Sequence, residues 1–161
     1  MLPHDFPKWQ TVYDYYRQWN RSGLWDKILC ALNKTYRLKK SRNASPSYAI
    51  LDIQSVKTRY CGEERGYDGG EKVKGRKRQI TVDVLGCLLH VYSHAANLSD
   101  TKVACSIVDY LIDKYPSLEA FSGDGGFRGA VVNYVQEVLG KSFDIAIGIK
   151  GVGKFIPVPI R

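Results

Sequence analysis

The sequence contains no run of about 18 or more uncharged apolar residues, so a membrane-spanning helix is not expected. Its first residues, Met1-Leu2-Pro3-His4-Asp5-Phe6-Pro7, lack the charged-then-apolar layout of a secretory signal, and the expectation is a soluble, cytoplasmic protein. Cysteine is sparse and scattered. Cys30, Cys61, Cys87 and Cys105 include no pair at the two-to-four-residue separation of zinc ligands, so buried thiols are the better reading. Cys87 and Cys105 sit inside apolar runs, where a thiol behaves as a small hydrophobe. Gly123-Asp124-Gly125-Gly126 has the spacing of neither the dinucleotide fingerprint nor the phosphate-binding loop. No internal repeat occurs.

What is present is an ordinary domain's worth of apolar residues and an excess of positive charge. The 161 residues are 44% hydrophobic, enough to bury a core. The net charge of +8 points to a polyanionic partner, although charge alone says nothing about fold. Its distribution says more: residues 1–48 hold nine Lys or Arg against three acids, whereas the remainder is close to balanced, with fifteen against thirteen.

From Trp9 to about Lys40 apolar residues recur at helical spacing, first Trp9, Val12, Tyr13, Tyr16 and Trp19, then Leu24, Ile28, Leu29 and Leu32. Asn20-Arg21-Ser22-Gly23 separates them, with Ser22 placed to cap the second helix. The pair reads as a helix-turn-helix-like unit with Arg17, Arg21, Lys27 and Lys34 on its outer faces. Groove reading of DNA and an ordinary helical hairpin both satisfy that pattern. The polar, basic stretch 39–47 marks a linker, which divides the chain into a helical unit, residues 1–47, and a core, residues 48–161.

Tyr48 to Val56 reads as a buried strand with one carboxylate near its centre. Residues 62–78, glycine-rich and densely charged, are expected as an exposed loop. Gln79 to Leu85 and Leu88 to Ala95 are expected as strands joined by a tight hairpin at Gly86-Cys87. Asp100 is placed to cap a helix ended by Pro116, and Leu118 to Ser122 forms a short strand. A helix carrying Val131, Val132, Val135, Val138 and Leu139 then stops at Gly140, and Phe143, Ile145, Ile147 and Ile149 alternate as a last strand. This order implies an α/β fold, a mixed sheet flanked by helices, preceded by the small helical unit.

Two acids stand out. Asp52 shares a strand face with Ile50 and Gln54, and a carboxylate among such neighbours needs a partner or a cation. The plainer alternative is a bond to backbone or to a lysine such as Lys57. Asp124 closes a short strand before two glycines, which lets the backbone turn and present the carboxylate at the sheet's C-terminal edge; an Asp-Gly turn without chemistry fits equally well. If both converge, a divalent cation between them relieves their repulsion, and Mg²⁺ is the natural ion. Lys72, Lys74, Arg76, Lys77 and Arg78 could neutralise phosphates, or simply solvate a charged loop in which Glu63, Glu64, Asp68 and Glu71 lie upstream. His94 at a strand end is read as structural, since no second ligand is suitably spaced.

Several of these segments resemble the transposases of bacterial insertion sequences, specifically insertion-sequence family five of the DDE class. The most specific run is Gly66-Tyr67-Asp68-Gly69-Gly70-Glu71-Lys72-Val73-Lys74-Gly75-Arg76-Lys77-Arg78, with Val82-Asp83-Val84-Leu85-Gly86 after it. Ile53-Gln54-Ser55-Val56-Lys57-Thr58, His94-Ala95-Ala96-Asn97, Asp124-Gly125-Gly126-Phe127-Arg128-Gly129 and Tyr15-Tyr16-Arg17-Gln18-Trp19 support it. The resemblance implies a ribonuclease-H-like core in which Asp52 and Asp124 are the first and second metal-binding acids. It further implies paired Mg²⁺ or Mn²⁺ ions that cut element ends and join them to target DNA. Arg17, Arg21 and Lys27, with the 72–78 cluster, would bind double-stranded DNA, and two copies would associate to hold two ends. Family members carry a third acid, a glutamate in a helix after the last core strand. Here that place is taken by Ile156-Pro157-Val158-Pro159-Ile160-Arg161, while Glu137 and Asp144 belong to the preceding helix and the last strand. The expectation is thus a transposase truncated before its third acid. The alternatives are a catalytically dead remnant occupying element ends and a metal-dependent nuclease with another third ligand.

Overall fold

The computed structural model describes residues 3–59 and 64–146. Cys61, Gly62 and Glu63, the predicted strand positions Ile147 and Ile149, and the stretch after them lie outside the described residues. The chain divides into two compact units, Met1–Ala44 and Ser45–Arg161, three residues before the linker end expected at position 47. Among the described residues no helix is long and apolar enough to cross a membrane.

The first unit is a pair of helices, α1 (Trp9–Arg21) and α2 (Leu24–Lys39). Ser22 does not cap α2. The chain reverses through Gly23 at φ 64°, a left-handed conformation that glycine adopts without a steric cost, and the Ser22 hydroxyl instead donates back to the Trp19 carbonyl. Aromatic rings knit the pair together, with Trp19 set edge-on to Trp25 at 5.4 Å and Tyr16 6.3 Å from Trp25. The C-terminal end of α2 is closed by buried Arg37, whose Nε donates to the Asn43 carbonyl.

In the second unit, β1 (Tyr48–Lys57), β2 (Gly66–Asp68), β3 (Val73–Val82), β4 (Leu88–Ala95), β5 (Ala120–Gly123) and β6 (Ser142–Ile145) form one sheet. β3 pairs antiparallel with β1, β2 and β4, and β1 pairs parallel with β5, which pairs parallel with β6. α3 (Asp100–Lys114) and the short α4 (Ala130–Asn133) pack on one face. That face supplies Ala49, Leu51, Phe121 and Phe143, which meet Ala104, Ile107, Val108 and Leu111 of α3 and Val131 and Val135 beyond it. Burying the Leu, Ile, Val and Phe side chains among them, each worth roughly 1.5–3 kcal/mol, is the main driving force for the unit.

Four local expectations give way to tertiary structure. The stretch 62–78 is not simply an exposed loop, because Gly66–Asp68 and Val73 onward pair as strands. A Cβ on Gly75 would stand 1.9 Å from the Val56 carbonyl oxygen, so glycine here permits close strand contact. β3 ends at Val82, and the hairpin is a wider turn in which Asp83 Oδ1 accepts from the amides of Leu85 and Cys87. Asp100 is the first residue of α3, after Ser99 at the cap position, and its carboxylate accepts from Lys77 Nζ at 2.7 Å. The helix after Gly129 keeps α-geometry only to Asn133. It then widens into a π-turn, Tyr134–Val138, which leaves Val138 68% exposed although Val135 is buried.

Candidate active site at the seam of the sheet

β1 lies where the antiparallel half of the sheet meets the parallel half, flanked by β3 and β5. Its odd-numbered residues Ala49 and Leu51 face the helices, so period two sends Ile50, Asp52 and Gln54 to the opposite face. The same alternation on β5 buries Phe121 under the helices and puts Ser122, and Asp124 after it, on the face of Asp52. Register Ile50↔Ser122 is the last rung of the β1–β5 ladder, and Asp52 on β1 and Asp124, just past the end of β5, each lie two residues beyond it. Both residues of the sequence-derived pair thus stand at the same end of the parallel half.

Among the described residues each carboxylate is anchored by a single short bond. Asp52 Oδ1 accepts from the Ile53 amide at 2.8 Å, and Asp124 Oδ1 accepts from the Gly126 amide at 2.9 Å. The glycines around Asp124 have separate duties. A Cβ on Gly123 would strike the Phe127 ring at 2.4 Å, and one on Gly126 would crowd Asp124 Oδ1 at 3.0 Å. Both acids are exposed, and among the described residues neither has a basic side chain in a salt bridge with it. Of the plainer partners for Asp52, backbone or a lysine such as Lys57, the bond observed is to backbone. Two hard, unneutralised oxygen donors on one face fit a divalent cation that keeps part of its water shell. No group of three or more His, Cys, Asp or Glu side chains suited to a metal occurs among the described residues.

The basic cluster splits by strand face. Arg78 sits opposite Gln54, one step along the face from Asp52, and its Nη2 donates to Gln54 Oε1 at 2.8 Å. Arg76 follows two residues away and pairs with Glu64 at 2.7 Å, and Lys74 continues the line, exposed. Lys72 occupies the β2–β3 turn at φ 56°. Lys77 departs from the expectation of a surface phosphate contact. Its side chain points to the helix-covered face, is 7% exposed, and pairs with Asp100 at 2.7 Å and Asp68 at 3.3 Å. Burial works against its charge, but the two acids, Asp100 foremost, outweigh it and raise its pKa.

Around Lys77 lies a polar layer under the N-terminus of α3. Asp68 accepts from the Ser55 hydroxyl at 2.6 Å and from the Gly70 and Glu71 amides; the Ser55 bond is the largest of the causes that bring its pKa to about 2. Buried His94 has Nδ1 2.9 Å from its neighbour's carbonyl at Ala95, which makes Nδ1 the protonated nitrogen and leaves Nε2 to accept from Gln79 Nε2. Gln79 Nε2 also reaches the Asp100 carbonyl. His94 therefore sits in a structural network away from the acid face.

In the first unit, Arg17 and Arg21 lie one helical turn apart and line one shallow depression with Asp14, Gln18 and Ser22. Arg17 stacks over Tyr13 at 5.7 Å. Lys27 is exposed on α2, outside that depression. Sequence reading missed Tyr48 and Ser122, which share the acid face, and left Asp144 as a strand residue. Tyr48 Oη donates to Asp144 Oδ2 at 3.0 Å. Period-two counts from Asp52 back to Tyr48 and from Asp124 back to Ser122 are the signals that could have flagged those two.

A mixed sheet with its helices packed on one face and two carboxylates at the antiparallel-to-parallel seam belongs to the ribonuclease-H-like class. The family model described as Transposase DDE domain matches residues 43–152, more than half of the chain, and a second, for transposases of the IS4/5 family, matches residues 1–29. The chain belongs to the DDE transposases of the IS4/5 type. No curated protein matches it. Members of the DDE family act on DNA and use divalent metal.

Proposed function

We propose that this chain cleaves and transfers DNA strands at insertion-sequence ends through a divalent-metal site held by Asp52 and Asp124, with Mg²⁺ or Mn²⁺ as the ion. The observation that carries this reading is that two exposed carboxylates, neither in a salt bridge among the described residues, each lie two residues past the last rung of the β1–β5 ladder. When bound, the cation supplies Lewis-acid stabilisation of charge on the phosphoryl oxygens and lowers the pKa of a bound nucleophile. Asp52 and Asp124 hold the ion, and their anchoring bonds to backbone amides orient one oxygen of each before it arrives. Arg78 and Arg76, beside Asp52 on the same face, and Lys74 and Lys72 beyond them contact the phosphates of the strand being cut. Arg17, Arg21 and Lys27 of the first unit bind the duplex of the element end. Two copies associate to hold two ends.

The test is Mn²⁺- or Mg²⁺-dependent nicking of supercoiled DNA carrying the element ends, by the chain and by its Asp52→Asn and Asp124→Asn variants. Nicking that falls about a hundredfold or more in each variant, with DNA affinity retained, supports the reading; that loss corresponds to about 2.7 kcal/mol of transition-state stabilisation. DNA binding with no metal-dependent nicking by the unsubstituted chain would establish the alternative, a DNA-binding protein that occupies ends without cutting them.

A further inference from the structure

The acids stand past the part of the ladder that could fix their spacing. β1 and β5 pair only from Tyr48↔Ala120 to Ile50↔Ser122, so no inter-strand backbone bond of that ladder reaches Asp52 or Asp124. The arrangement at the last rung therefore governs how the two strand ends diverge. At that rung Ser122 has Ile50 on one side and Asp144 of β6 on the other. Tyr48, on β1, reaches over β5 to donate its hydroxyl to Asp144 Oδ2 on β6 at 3.0 Å. One side chain thus links β1 to β6 across the intervening β5 on the face of Asp52. Burial raises the Tyr48 pKa, the Ser122 side chain opposes that and Asp144 adds to it, so at neutral pH the phenol keeps the proton it donates.

The geometry points to Tyr48 and Asp144 as a clamp across β5 that sets the separation of Asp52 and Asp124, which makes both of them positioning residues for the divalent-ion site. This rests on the metal-site reading above, and the experiment keeps the two separable. Mn²⁺ binding to the full chain is titrated through the electron paramagnetic resonance signal of the free ion, well below every variant's thermal midpoint. Asp52→Asn serves as the control for the site itself. Tyr48→Phe and Asp144→Ala should each weaken Mn²⁺ binding by about 2- to 10-fold, the consequence of one lost hydrogen bond, and the double variant should be no weaker than either. Asp144→Asn retains a carbonyl acceptor for the Tyr48 hydroxyl and should rescue most of the affinity that Asp144→Ala loses.

If Asp52→Asn leaves Mn²⁺ binding unchanged, the site reading falls and the clamp's role with it. If binding depends on Asp52 but Tyr48→Phe leaves it unchanged, the clamp alone is overturned. Lowered thermal midpoints without a change in affinity of the folded protein would make the Tyr48–Asp144 bond merely structural, which also overturns it. Equal losses in Asp144→Asn and Asp144→Ala would assign the effect to charge rather than to the clamp.

Discussion

Replacing Asp68 by Asn should cost stability that depends on pH in a defined window. The carboxylate's pKa is lowered from 3.8 to about 2, chiefly by the Ser55 hydroxyl, with the Glu71 and Gly70 amides and Lys77 adding to it. A depressed acid contributes stability that is fully present above its unfolded pKa and is lost as pH falls through its folded value, so the window runs from about pH 4 down to about pH 2. The shift alone corresponds to about 2.5 kcal/mol. Asp68 closes the three-residue strand β2 with a side chain only 10% exposed, and an Asn there can still accept from the Gly70 and Glu71 amides, so about 1–2 kcal/mol is the expected net effect. Urea unfolding of the unsubstituted chain and of Asp68→Asn at pH 7, 4 and 2 measures it. The difference should hold near about 1–2 kcal/mol at pH 7 and shrink towards zero at pH 2 as the native carboxylate protonates. A difference that stays constant across that range would refute the assignment, because a lost shape or packing contact does not titrate.

Lys77→Met should be more damaging, by about 3–5 kcal/mol, since it leaves Asp68 and Asp100 facing a vacated ammonium position; urea unfolding at pH 7 would show it. Gly75→Ala drives a Cβ into the Val56 carbonyl, and because both sides of the clash are backbone the β1–β3 ladder must part; a cooperative thermal transition at the unsubstituted midpoint would contradict that. Arg78→Gln should reduce the salt dependence of DNA binding by about one unit of log–log slope, whereas Lys77→Met, at a buried position, should leave the slope of the folded protein unchanged. Equal slopes for Arg78→Gln and the unsubstituted chain would remove Arg78 from the phosphate contacts.

How much of this was legible in the sequence depends on whether the signal was local. The placing of Asp52 with Ile50 and Gln54 follows from period two and holds in the structure, as does the helix carrying Ile107, Val108 and Leu111. The first half of β3 was hidden because its inward residues are Gly75, Lys77 and Gln79, so no apolar alternation marks it as a strand. Those positions are polar because their partners, Asp68, Asp100 and His94, come from other elements, and no window of the sequence contains both sides of the contact. Asp100 has the look of a cap and serves as an ion-pair partner for the same reason. Adjacency of β1 to β5 was likewise beyond reach: strand periodicity reports which face a residue takes, not which strand lies beside it.

β3 explains how an antiparallel hairpin would serve the proposed site at the end of the parallel strands. Lys77 anchors one of its faces to the N-terminal turn of α3 through Asp100 and to β2 through Asp68. With that face fixed, the pleat leaves Lys74, Arg76 and Arg78 no choice but the other side, where register with β1 sets Arg78 against Gln54 and Ile80 against Asp52. A one-residue slip of β3 would bury those cations under α3 and turn Lys77 outward at once. The buried lysine and the exposed arginines are therefore a single specification, in which an ion-pair layer remote from the acids dictates that positive charge lies beside Asp52. The same logic would make the inward polar residues of this strand as consequential for the proposed DNA contact as the arginines that would touch phosphate.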